Sequence, residues 1–166
     1  MLLTIFVLCL IPLTRYYQID QPLIRRFRSA RKVDPLALHA AGEFVENNLG
    51  TEFNSDGSVT LRMIAQQYLF VPHCVAIPTA VPVHLRITSA DVVHSLAIEG
   101  TDYVVKIVPG AISQVTLEFP KPGIYKTVCR EFCGAGHYDM RSEFRVLPKS
   151  AFPRMGSSDR GYCAAQ

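Results

Sequence analysis

The stretch that decides the fold runs from Cys129 to Met140 and reads Cys-Arg-Glu-Phe-Cys-Gly-Ala-Gly-His-Tyr-Asp-Met. It places two thiols, one imidazole and one thioether within twelve residues. Sulfur and imidazole donors form a soft ligand set, which selects copper over magnesium, calcium or manganese. The stretch therefore predicts a metal site, and the rest of the chain must supply a scaffold for it.

The spacing within this stretch predicts a loop. Cys129, Cys133 and His137 recur every four residues, which on a helix would place them on one face. Two glycines lie inside the run, however, and a Pro-Gly pair at 122–123 precedes it. These residues favour a loop that folds back on itself, and such a loop can wrap an ion.

The donor set favours copper over zinc. Methionine is a poor zinc ligand, and zinc sites usually bring their cysteines as a close pair, whereas copper accepts a thioether as a weak axial ligand. A mononuclear centre needs one Cys with two His and a Met, so the second thiol is surplus unless it bridges a second copper. The best candidate for the second histidine is His94, which ends an alternating stretch typical of a strand.

The order and spacing of these residues resemble cytochrome c oxidase subunit II, the subunit of haem-copper terminal oxidases that carries the dinuclear CuA centre. Four motifs carry the resemblance, in this order: Asp91-Val92-Val93-His94-Ser95, Val108-Pro109-Gly110, Pro122-Gly123-Ile124-Tyr125 and Cys129-x-Glu131-x-Cys133-Gly134-x-x-His137-x-x-Met140. Ile98-Glu99-Gly100-Thr101 and the compact length resemble the short b-type branch. The likeness extends from about Val59 to Val146.

The resemblance implies a ligand set and a role. It assigns six metal ligands: the bridging thiolates Cys129 and Cys133, the terminal imidazoles His94 and His137, the axial thioether Met140 and the backbone carbonyl of Glu131. It implies a subunit that takes electrons from cytochrome c or a small copper protein and passes them to haem in subunit I, reducing no oxygen alone. In the family, the equivalent Glu side chain is associated with magnesium near subunit I.

The chain departs from the family at the electron entry point, where subunit II usually has aromatic residues, often Trp. This chain has no Trp, and Tyr68 and Phe70 occupy the corresponding region. We therefore predict that electrons enter near these two residues. Asp91, three residues before His94, is either a carboxylate that orients a ligand or an ordinary turn residue. The other histidines, His39, His73 and His84, lack ligand-like spacing and are predicted to be structural or exposed.

Two other functions remain open at this point. A nitric-oxide reductase can use the same CuA module, and the identity of the haem-copper partner would discriminate the two complexes. A copper-delivery protein with a cupredoxin barrel is an alternative of a different class. Such proteins bind metal at exposed Met and His clusters, whereas this chain has only four Met.

The N-terminal region is both apolar and basic. Residues 1–33 begin with a nearly unbroken apolar run to Leu13 and carry six Lys or Arg against Asp20 alone, a local charge of +5 in a chain whose total is +3. We predict an uncleaved membrane anchor that reaches Ile19, since a signal peptide would need a basic start and a cleavage site. The local charge favours a membrane surface or partner subunit over nucleic acid. The positive-inside rule would place the C-terminal domain inside, whereas the resemblance implies the outer face.

The chain has five cysteines, an odd number that cannot be fully paired. Cys129 and Cys133 are assigned to metal, which leaves Cys9, Cys74 and Cys163. A bond between Cys74 and Cys163 is open, but free or buried thiols are the favoured interpretation.

Beyond the N-terminus, the sequence divides into a linker at 34–58, a β domain at 59–148 and a tail at 149–166. The linker is predicted to hold a short helix capped by Asp34 and begun by Pro35, and the tail to be extended or disordered. Short β-branched and aromatic runs between Pro and Gly predict an all-β, cupredoxin-like Greek-key barrel. The predicted strands are 59–70, 75–77, 83–88, 94–98, 103–108, 113–119, 123–128 and 143–147.

Overall fold

The computed structural model describes residues 32–150 and 160–163. Within these ranges the chain forms ten strands and three short 3₁₀ helices. The strands are β1 (Gly50–Phe53), β2 (Val59–Gln66), β3 (Leu69–Val71), β4 (Cys74–Pro78), β5 (Val83–Ser89), β6 (His94–Ile98), β7 (Val104–Ile107), β8 (Ser113–Leu117), β9 (Gly123–Cys129) and β10 (Arg141–Leu147). The 3₁₀ helices are Pro35–Ala37, Glu46–Asn48 and His137–Asp139.

The strands form two five-stranded sheets that pack face to face. The first sheet has the order β1-β2-β5-β8, with β3 also paired to β2, and the second has the order β4-β10-β9-β6-β7. Alternate residues of each strand point between the sheets, so Leu61, Leu85, Leu96 and Phe144 are fully buried there. The prediction of an all-β domain is confirmed.

Two predicted elements differ from the structure. The single strand predicted over 59–70 is divided into β2 and β3 by a turn at residues 67–68. The helix predicted in the linker is replaced by two 3₁₀ helices and by β1, although Asp34 does cap the first 3₁₀ helix at the N–H of Leu36. The linker lacks a regular helix because its apolar residues pack one by one against the first sheet.

This packing gives the domain a second, smaller core on the outer face of the first sheet. Leu38, Phe44 and Leu49 from the linker bury Ile64 of β2 and Ile112. Ile64 points away from the main core because it alternates with Met63 and Ala65, which belong to that core. Residues 33–49 are therefore part of the packed structure of the domain.

An ion-pair cluster lies beside this smaller core. Arg62 of β2 and Arg86 of β5 are directly paired across the strands, and Glu43 of the linker forms ion pairs with both guanidinium groups. Burial opposes ionisation of Glu43, but the two arginines outweigh it and hold the pKa of Glu43 below its ordinary value. The carboxylate therefore joins the linker to two strands that would otherwise carry facing like charges.

We expect Glu43→Gln to lower the free energy of unfolding by about 1–3 kcal/mol, because charge-assisted hydrogen bonds are lost. The folded pKa of Glu43 is depressed, so its contribution is present above the unfolded pKa and is lost as the pH falls through the folded value. Urea titrations at neutral pH and at about pH 3 should therefore show a smaller loss in the variant than in the parent. Glu118→Gln, at an exposed position, is the control, and equal acid sensitivity of Glu43→Gln and the parent would contradict the assignment.

The last described residues, 160–163, form a C-terminal strap that lies between the edges of the two sheets. The N–H of Thr51 in β1 donates to the carbonyl of Arg160 at 2.7 Å, and the N–H of Ala76 in β4 donates to the carbonyl of Gly161 at 2.7 Å. Gly161 has a φ of +71°, and an added Cβ would lie 2.9 Å from Thr51 Oγ1. The strap therefore requires glycine at 161, and it links one sheet to the other.

A disulfide between Cys74 and Cys163 fixes the strap, with a Cα–Cα distance of 5.4 Å. The interpretation of these cysteines as free thiols is wrong. The backbone hydrogen bonds of the strap place Cys163 next to Cys74. The tail is extended here, as predicted, but residues 160–163 are held against the domain and are not disordered.

The predicted anchor lies outside the described residues. Of the basic segment that follows it, the structure describes Lys32 and Val33, which pair with the 110–111 turn. In the part of the chain that the structure describes, no helix has the length and apolar character needed to cross a bilayer.

Candidate metal centre

The stretch from 129 to 140 forms a closed loop between β9 and β10. Cys129 ends β9, and its N–H donates to the carbonyl of Met140 at 3.0 Å, so the two ends of the loop are paired. Inside the loop, Gly134 has a φ of +132°, which favours glycine, and its carbonyl accepts from the N–H of His137 at 3.1 Å. The predicted loop is confirmed, and it folds its side chains towards one point.

The structure brings the donor atoms of this loop together with His94, the first residue of β6. Cys129 Sγ lies 3.9 Å from His94 Nδ1, and Cys133 Sγ lies 3.6 Å from His137 Nδ1. The donor atoms of His94, Cys129 and Cys133 all lie within 4.8 Å of one another. Each thiol thus has one imidazole beside it.

The remaining two predicted ligands complete the cluster. Met140 Sδ lies 3.7 Å from Cys133 Sγ, and the backbone carbonyl of Glu131 lies 3.2 Å from Cys129 Sγ. The side chain of Met140 is buried, whereas that of Glu131 is exposed. The six residues that the resemblance assigns as ligands therefore lie in one cluster.

Burial shapes the chemistry of the two thiols. Burial, reinforced by the neighbouring Cys129, raises the pKa of Cys133 to about 11. His94 is fully buried and both cysteines are less than a tenth exposed. Soft donors that are crowded together and shielded from water fit a soft cation, since coordination removes the thiol proton and balances the negative charge.

Asp91 fixes the orientation of His94. His94 Nε2 lies 2.8 Å from Asp91 Oδ1, and because a carboxylate only accepts, the imidazole proton is on Nε2 and Nδ1 faces Cys129. Burial opposes ionisation of Asp91, but hydrogen bonds from His94, Gln67 and Val92 hold the pKa of Asp91 below its ordinary value. Of the two interpretations of Asp91, the structure supports the orienting carboxylate.

The two residues predicted at the electron entry point differ in their exposure to solvent. Tyr68 is on the β2–β3 turn with 36% of its surface exposed, whereas Phe70 is fully buried in the main core. Phe70 does not belong to a docking surface, because strand alternation in β3 turns it inward. Tyr68 remains the candidate for the electron entry point.

Sequence reasoning missed three residues at the site. Gln67 donates its side-chain amide to the carbonyl of Cys133, a contact between residues 66 positions apart that no local pattern signals. Phe132 and Tyr138 flank the ring of His137 at centroid distances of 5.7 and 5.3 Å. They are 74% and 79% exposed. Their position as aromatic residues next to a candidate ligand in the sequence is the signal that could have identified them.

The other histidines lie outside the donor cluster, as far as the described residues show. His39 and His73 are exposed, and His84 lies on β5, where its Nδ1 is 3.1 Å from Thr116 Oγ1.

Sequence comparison matches residues 47–145 to the family described as "Cytochrome C oxidase subunit II, periplasmic domain". Two proteins from Thermus thermophilus, both named cytochrome c oxidase subunit 2, are each 29% identical over 109 residues. The aligned region covers 66% of this chain and 81% and 65% of the two relatives. The chain thus spans slightly less than two thirds of one of them.

Structural comparison finds chains of similar fold. A chain in a cryo-EM structure of a heme-copper terminal oxidase dimer aligns with a TM-score of 0.59 and 27% identity, covering 87% of this chain and 95% of that one. The periplasmic domain of cytochrome oxidase subunit II from Bradyrhizobium japonicum aligns with a TM-score of 0.52 and 19% identity, covering 56% and 86%. This second likeness concerns the fold and confirms the cupredoxin-like class. With the family match extending over more than half of the sequence, the chain belongs to the cytochrome c oxidase subunit II family.

Proposed function

We propose that this chain is the electron-transfer subunit of a haem-copper terminal oxidase and that it holds a dinuclear CuA centre. One observation carries the proposal: two buried thiols face each other, and each has an imidazole nitrogen within 4 Å, His94 for Cys129 and His137 for Cys133. A single copper would leave one of these thiols without a role.

The residues that would hold the copper ions are the six of the predicted set: His94, Cys129, Glu131, Cys133, His137 and Met140. Copper held by these residues would supply one-electron redox chemistry, with the thiols of Cys129 and Cys133 as shared donors. The chain supplies a fixed set of donors, because the loop ends are paired and Asp91 holds His94. Burial of the thiols excludes water, which limits rearrangement when the charge of the centre changes.

We further propose the electron partners of the centre, its side of the membrane and a neighbouring ion. Electrons would come from cytochrome c or a small copper protein and pass to haem in subunit I, where oxygen is reduced. The copper domain would lie on the outer face of the membrane, held by an anchor within residues 1–33. The Glu131 side chain is exposed and available to a magnesium ion at the interface with subunit I.

The alternative functions receive less support. The matched family and the two relatives from Thermus are subunits of cytochrome c oxidases, which favours an oxidase over a nitric-oxide reductase. The buried donors also differ from the exposed Met and His clusters that copper delivery needs.

The test is metal analysis of the purified chain together with its electron paramagnetic resonance spectrum. We expect two coppers per chain and an unpaired electron that couples equally to two copper nuclei. One copper per chain, or hyperfine coupling to a single nucleus, would contradict the dinuclear centre. Zinc in place of copper would contradict the function as a whole.

Tyr68→Ala should slow electron delivery from a reduced c-type cytochrome by about tenfold, since truncating an aromatic anchor at an interface commonly costs more than about 1 kcal/mol. Stopped-flow reduction of the copper-loaded chain measures this rate. Tyr68→Phe is the matched control, because it keeps the ring and removes only the hydroxyl, and it should react like the parent. Unchanged kinetics in Tyr68→Ala at full copper content would show that electrons enter at another residue.

A further inference from the structure

The turn between β2 and β3 contacts both segments that carry the candidate ligands. The backbone N–H of Gln67 donates to Asp91 Oδ2 at 2.6 Å, and Asp91 Oδ1 bonds to His94. The side-chain amide of the same residue donates to the carbonyl of Cys133 at 2.5 Å. One residue therefore links His94 on β6 to the loop that carries Cys133.

The next residue reinforces this contact by packing. A Cβ added to Gly136 would lie 2.5 Å from Cδ2 of Tyr68, and one added to Gly134 would lie 2.6 Å from its hydroxyl. The Tyr68 side chain thus occupies the space left by two glycines on either side of Ala135. The loop is held at its glycines as well as at the carbonyl of Cys133.

We propose that Gln67 is a positioning residue that sets the distance between His94 and the ligand loop before metal arrives. This inference rests on the proposed function, because it concerns the same centre. Gln67 acts through two different groups: its backbone N–H holds the carboxylate that orients His94, and its side chain holds the carbonyl next to the Cys133 thiol. The amide N–H is the required feature, since the carbonyl of Cys133 can only accept.

Gln67 matters because the pairing of β6 with the ligand-bearing segment ends before Cys133 is reached. β6 pairs with β9 as far as Cys129, and the N–H of Arg130 still donates to the carbonyl of Ser95 at 3.2 Å, but the loop beyond leaves the sheet. Cys133 lies four residues into this loop and depends on contacts outside the sheet for its position. Partners that orient metal ligands are typically worth about 10–100-fold in metal affinity.

The experiment compares the full-length chain with Gln67→Ala, Gln67→Glu and Gln66→Ala. Gln67→Glu keeps the length of the side chain but removes its N–H donors, and Gln66→Ala truncates the neighbouring, half-buried side chain of β2. Each metal-free protein is titrated with copper in competition with a chelator, and the reduction potential of the loaded protein is measured. Thermal unfolding of the metal-free forms shows that each variant is folded.

We expect both Gln67 variants to bind copper about 10–100-fold more weakly and to have an altered reduction potential, while Gln66→Ala matches the parent. Parental affinity and potential in both Gln67 variants would overturn the inference. Equal losses in Gln66→Ala would also overturn it, as would full affinity in Gln67→Glu, because no amide donor would then be needed. If the parent itself binds no copper, the proposed function fails, which is a separate outcome.

Discussion

Cys133→Ser should reduce the copper content from two ions to at most one per chain. A hydroxyl is a harder and far weaker ligand than a thiolate, so the proposed bridge through residue 133 should be lost in the variant. The remaining donors, Cys129 with His and Met140, resemble those of a mononuclear centre. The unpaired electron, which we expect to couple to two copper nuclei in the parent, should therefore couple to one nucleus in the variant, as electron paramagnetic resonance can measure.

Cys163→Ser is a matched control for this experiment. It makes the same chemical change at a cysteine that is bonded to Cys74 and has no place in the donor cluster of His94, Cys129 and Cys133. It should keep both coppers and the parental hyperfine pattern. If Cys133→Ser keeps that pattern as well, Cys133 is not a bridge and the dinuclear assignment is wrong.

The same Cys163→Ser variant should show the largest loss of stability among the changes considered. The disulfide joins residues 89 positions apart, and removing a bond that closes a long loop costs about 2–4 kcal/mol. For a chain of this size, the melting temperature should fall by roughly 5–15 °C. Calorimetry of the metal-free protein measures the change without a contribution from bound copper.

Two comparisons separate the effect of the disulfide on stability from that of the hydrogen bonds around it. Cys74→Ser and the double variant should be destabilised by the same amount as Cys163→Ser, because each removes the same bond. Reduction of the parent by a dithiol should give a similar melting temperature. A parental melting temperature in the double variant would show that the strap is held by its backbone hydrogen bonds alone.

Local patterns predicted the parts of the site that are close in sequence. The pattern of short runs between Pro and Gly located β6 with its correct bounds, and the glycines between Cys133 and His137 predicted the loop. Asp91 was recognisable because it lies three residues from His94, a spacing that lets both reach one hydrogen bond. The ligand roles themselves came from resemblance to a family and remain a prediction.

Contacts between distant segments were not predictable in this way. The bond of Gln67 to the carbonyl of Cys133 and the disulfide of Cys74 with Cys163 both depend on how strands are ordered across the two sheets. The helix predicted in the linker was wrong for a related reason. The apolar residues of the linker suited a helix, but they pack against Ile64 instead. Phe70 was wrongly predicted to lie at the electron entry point. Whether its side chain points inward or outward depends on where the turn after β2 ends that strand.

The position of the C-terminal strap has a consequence for the order in which the domain can be completed during synthesis. Chains emerge from the amino end, and domains generally fold as units. β1 and β4 are finished by residue 78, but the strap that joins their edges comes from residues 160–163. The ligand loop, which ends at Met140, emerges before the strap does. The bonds that join the edges of the two sheets can therefore form only after the whole ligand loop has emerged.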